Sequence, residues 1–113
     1  MNKYEYPAEK FDNARKFLER SRSEDDVILI ADAFRECRTA LFQLDKLNVD
    51  YLDDGVIKAL GELKELMDTT GLDNRPDLDL NIVKAKLLTP DQKVELSGVV
   101  NYLANWFDTK SGE

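Results

Sequence analysis

Glu62, Glu65 and Asp68 stand three residues apart, a spacing that lines up carboxylates along one side of a helix. Such a ladder can hold Mg²⁺, and an all-α nucleotide hydrolase would complete the site with acids from a second helix. Asp91 and Glu95 are the available partners, but they do not repeat the motif. Lys58 and Lys64 lie four residues before Glu62 and Asp68, so a salt-bridged, solvated face accounts for the same residues more simply.

A second stretch, PDLDLN at 76–81, sets Asp77, Asp79 and Asn81 at alternate positions, as a calcium loop begins. A calcium loop then needs Gly at its sixth position and a bidentate Glu at its twelfth, and this chain has Ile82 and Leu88 there. Ile resists the sharp turn and Leu supplies no oxygen. The stretch therefore reads as a turn that starts a short helix, with Leu78, Leu80 and Ile82 anchoring it. No metal and no cofactor are expected.

Other chemistries fail for want of residues. Without a histidine there is no Ser-His or Cys-His pair and no imidazole acid, base or ligand. One cysteine, Cys37, permits no Cys/His zinc site and no internal disulfide. The glycines at 55, 61, 71, 98 and 112 form neither a phosphate loop nor a dinucleotide fingerprint. A non-enzymatic protein is expected.

The elements that carry these residues read as helices. Pro7 suits a first turn, and Phe11, Ala14 and Leu18 recur at helical spacing with Phe17 beside them, predicting a helix over 7–22. Ser23-Glu24-Asp25-Asp26 reads as a cap with acids at the positive end of a second helix, 24–47. Its seam is Val27, Ile30, Phe34, Cys37, Leu41 and Leu44, with Cys37 a buried thiol and Ile28 and Leu29 off the seam.

Asp50 is the expected cap of a third helix, 51–70, lined by Leu52, Val56, Leu60, Leu63 and Met67 with Ile57, Ala59 and Leu66 beside them. Gly55 and Gly61 each weaken it by about 1 kcal/mol relative to Ala, and Gly71-Leu72 closes it. A short helix is expected near 78–87. Thr89-Pro90-Asp91-Gln92 combines an N-cap, a proline at the first helical position and a Gln three residues after the cap. It opens a last helix over 90–108, with Leu96, Val99, Val100, Leu103, Trp106 and Phe107 inward and 109–113 frayed. The fold class is all-α: an antiparallel bundle of four main helices plus the short one, forming one domain over 1–113.

Charge narrows the partners. The net charge of -7 divides into +2 over 1–23, -9 over 24–79 and zero over 80–113. Direct nucleic-acid binding is disfavoured because phosphate neutralisation needs a basic surface. No apolar run approaches the roughly 20 residues of a membrane span, and the charged start MNKYEYPAEK lacks a signal-peptide apolar region, so a cytoplasmic location is expected.

Binding is what remains. The expected function is a small acidic protein-binding module: an adaptor, a regulatory subunit or an inhibitor of the immunity type. Its expected surface comprises Ile28, Leu29, Leu47, Tyr51, Asp53 and Asp54, apolar residues rimmed by acids. That surface would face a protein with a basic patch, or a second copy in a homodimer. One alternative is the Mg²⁺-dependent nucleotide hydrolase built on Glu62, Glu65 and Asp68. Another is an acidic region that imitates DNA toward a nucleic-acid-binding protein.

Overall fold

The computed structural model describes residues 3–24, 27–47, 52–70 and 88–112. Among them run α1 (Glu5–Glu24), α2 (Val27–Leu47), α3 (Asp54–Thr70) and α4 (Pro90–Ser111), with no strand. The protein is an all-α bundle, as its apolar periodicity predicts. The segment expected to form a short helix at 78–87, the PDLDLN turn and the Gly71-Leu72 closure lie outside the described residues.

Helix ends differ from expectation for local reasons. α1 begins at Glu5 because Pro7 falls within the first turn, where its missing N–H costs nothing. The Ala8 amide then closes that turn onto the Tyr4 carbonyl at 3.0 Å. At its other end α1 continues through Ser23, which is therefore not the cap of α2. The Ser23 hydroxyl donates back to the Arg20 carbonyl at 3.2 Å, and Ser21 donates to Leu18 at 2.7 Å.

α3 starts at Asp54 with Asp53 as its cap. The Asp53 carbonyl accepts from the Ile57 amide at 3.0 Å, and its side-chain Oδ1 accepts from the Val56 amide at 2.9 Å. α4 opens with the expected capping box: the Gln92 amide donates to Thr89 Oγ1 at 3.1 Å and the Thr89 amide to Gln92 Oε1 at 2.9 Å. It does not fray at 109. The Gly112 amide still reaches the Asp108 carbonyl at 3.2 Å, and Ser111 Oγ donates to the same carbonyl at 2.8 Å.

α1 lies antiparallel between α2 and α4, and α3 rests on α4. Lys10 pairs with Glu36 at 3.6 Å and Asn13 Nδ2 donates to Glu36 at 3.3 Å, tying α1 to α2. Phe11 stacks on Phe107 with ring centroids 5.5 Å apart, tying α1 to α4. Phe34, Leu63, Met67 and Leu103 complete the sealed centre. Each such side chain contributes about 1.5–3 kcal/mol by leaving water. In α2 the seam is buried at Ile30, Phe34 and Cys37 but only half-buried at Leu41 and Leu44. α2 and α3 have little direct packing on one another.

Cys37 is fully enclosed. Burial first, and the Glu36 charge second, push its thiol from 9.0 up to about 12, so no thiolate forms at neutral pH. Iodoacetamide is expected to modify Cys37 only in proportion to the unfolded fraction. Alkylation of native protein at the rate of an open thiol would contradict the sealed core.

Asp12 gives an acid-side prediction. Burial alone would raise its carboxyl, but hydrogen bonds from Lys16 and Arg15 outweigh that and hold it below its ordinary 3.8. Its contribution to stability is therefore present above the unfolded value and lost as pH falls through the folded one. Urea midpoints measured between about pH 5 and pH 3 should fall more steeply for the wild type than for Asp12→Asn.

Candidate functional site

Of the residues expected to form one binding surface, those the structure describes do not share one exposed face. Ile28 opens α2 and is 45% exposed, but its neighbour Leu29 is 6% exposed and belongs to the interior. The side chain of Leu47 and the whole of Tyr51 lie outside the described residues. Asp53 and Asp54 start α3 beside the far end of α2, roughly 28 Å along the helix from Ile28. Tertiary packing, not the linear pattern, divides this set.

The Glu62, Glu65, Asp68 ladder lies along α3, with Glu65 and Asp68 exposed and Glu62 half-buried. Among the described residues no three acidic or thiol groups converge to hold a metal ion. Neither Lys58–Glu62 nor Lys64–Asp68 closes an ion pair among them, so this flank is solvated rather than salt-bridged. No described helix is long and apolar enough to cross a membrane.

Asp53 turns out to be a structural joint. While Oδ1 caps α3, Oδ2 accepts from Trp106 Nε1 at 2.9 Å. The indole in turn meets Tyr4 edge-on at 5.8 Å and Phe107 edge-on at 4.9 Å, with Lys110 Nζ 5.6 Å from its centre. Gly55 belongs to the same joint. A Cβ there would meet the Tyr102 hydroxyl, the far end of an exposed side chain from α4 that can swing aside. Trp106 is half-buried, and its polar edge explains why.

Among the described residues, the seam between α2 and α3 is open. Leu41 and Leu44 face Leu52, Ile57 and Leu60 across a groove of about 510 Å³, with Asp45 and Lys64 on its rims and Gly61 at its edge. Ile57 is 54% exposed there. Beside it Phe42 is 56% exposed, with Lys46 Nζ 4.5 Å from the ring centre and Arg38 and Thr39 alongside. Leu41, Leu44 and Ile57 read as core positions in the sequence. Phe42 was not singled out, although an aromatic next to the seam and four residues before a lysine carried the signal.

No protein-family model matches the chain, and no curated protein or solved structure matches it either. Function therefore rests on the geometry of these surfaces.

The Asp53 joint makes a stability prediction. Asp53→Ala removes the cap and leaves the indole N–H without its acceptor, and should cost about 2 kcal/mol in urea unfolding. Asp53→Asn should recover about half, because one amide oxygen can serve the Val56 amide or the indole but not both. A loss below about 0.5 kcal/mol for the alanine variant would show that the joint carries no weight.

Proposed function

We propose that the protein is a non-catalytic binding module whose docking face is the α2–α3 groove. The observation that supports this reading is the set of apolar side chains Leu41, Leu44, Leu52 and Ile57, half-buried or exposed along the α2–α3 edge over buried Leu60. From Leu52 to Lys64 the groove runs roughly 18 Å, long enough to receive an amphipathic helix by its apolar face. Phe42 beside the groove adds the kind of aromatic anchor that dominates binding energy at interfaces.

Charge gives the partner a character. Among the described residues, Arg38, Lys46 and Lys64 border the groove and its neighbouring depression against Asp45 alone, a local excess of positive charge on an acidic protein. The partner helix that fits carries acids beside its apolar stripe, in place of the basic surface expected from net charge.

The test is the double variant Phe42→Asp, Ile57→Asp. Both residues are exposed, so the fold and melting temperature should hold within the small changes usual for surface substitutions. Affinity for a partner captured by the wild type should fall by about 2 kcal/mol or more, roughly thirty-fold. A partner retained equally by both forms would sink the assignment. A dimer of the 13.0 kDa chain that the double variant abolishes would give the groove to a second copy instead.

A further inference from the structure

At the end of the bundle away from Trp106, α1, α2 and α4 part around a cleft of about 140 Å³. Leu18, Ile30 and Leu96 form its apolar walls, and Val94, 73% exposed, stands at the mouth. Apolar cavities of roughly 150 Å³ admit one benzene-sized group.

Among the described residues, the charged side chains that line this cleft are all cationic. Arg22 from α1 and Lys93 from α4 both line it, and neither joins an ion pair among the described residues. Arg38, Lys58 and Lys64 also join no ion pair among the described residues; what sets Arg22 and Lys93 apart is that two helices bring them to one small apolar cleft. The Ser97 hydroxyl also lines the cleft and has no hydrogen bond among the described residues. Ser21 has already given its proton to the Leu18 carbonyl. Lys93 sits in the first turn of α4, where the helix dipole adds further positive potential. Two cations and the Ser97 hydroxyl thus border an apolar hollow, with no carboxylate among its described lining residues.

We propose that this cleft between α1, α2 and α4 binds a small monocarboxylate that carries one benzene-sized apolar group. The ring enters between Leu18, Ile30 and Leu96, and the carboxylate is held by Arg22 and Lys93 through charge-assisted hydrogen bonds, with Ser97 as a neutral donor. This site is independent of the α2–α3 groove and stands whether or not that groove binds a helix.

The test uses three probes that differ only in the head group: phenylpropionate, phenylpropanol and phenylpropylamine, each titrated into the whole chain and followed by heteronuclear NMR. Phenylpropionate should shift the amides of Ile30, Val94, Leu96 and Ser97 saturably and bind about ten-fold tighter than phenylpropanol, while phenylpropylamine should not bind. In the Arg22→Gln, Lys93→Gln double variant, phenylpropionate should weaken by about ten-fold or more and phenylpropanol should be unchanged. Both residues are exposed, and the dispersion of the spectrum reports whether the variant is folded. Equal binding of acid and alcohol would reduce the cleft to a charge-indifferent void and overturn the proposal. So would undiminished phenylpropionate affinity in the double variant, or no saturable shift at all. Shifts of the same amides with protein concentration alone would assign the cleft to a second copy and overturn it equally.

Discussion

α1 packs against α2 on one side and α4 on the other, with Phe11 against Phe107 at the heart of the contact. That double engagement orders the molecule. α2 is fixed to α1 through Glu36, which receives both Lys10 and Asn13. Among the described residues α3 has no comparable hold on α1 or α2 and depends on α4, through the Asp53 carboxylate and the Tyr102 side chain over Gly55. A bundle assembled in this way closes on three sides. Among the described residues the fourth edge, between α2 and α3, stays open because each of those helices spends its best-packed face elsewhere. Leu41 and Leu44 are half-buried for that reason, although they continue the same seam as Phe34 and Cys37.

Both surfaces proposed for binding follow from how helices separate. The α2–α3 groove exists where two neighbours share little contact. The smaller cleft lies where Leu18 of α1, Ile30 of α2 and Leu96 of α4 meet at one end of the bundle. In each place cations stand over apolar carbon, against the sign of the whole chain. Net charge governs long-range encounter, whereas a bound group feels the few charges within a Debye length, about 8–10 Å at ordinary salt. An acidic protein can therefore present locally basic sites.

The sequence made some of this legible and hid the rest for physical reasons. Thr89-Pro90-Asp91-Gln92 was readable because a capping box is entirely local, needing only the backbone three residues away. Cys37 was readable because its position in a long apolar seam leaves little choice but the interior. Ser23 misled because a serine hydroxyl can cap the helix ahead or bond back to the turn behind, and here it does the latter. Asp50 and Asp53 both precede the apolar face of α3, and the choice of cap is bound up with Trp106, which lies 53 residues further on. Ile28 and Leu29 look alike in sequence. Only tertiary packing makes one exposed and the other buried. Periodicity marks the faces of a helix, and the neighbours decide which of them remain open.

Trp106 is the only tryptophan, and its indole nitrogen is bonded to the residue that starts α3. Its ring also touches Tyr4 just ahead of α1 and stands under Lys110 near the end of α4. The intrinsic fluorescence of this protein is therefore not an average over its core. It is a local signal from the place where three helix ends meet, sensitive to whether α3 is seated and largely blind to the distant cleft near Val94.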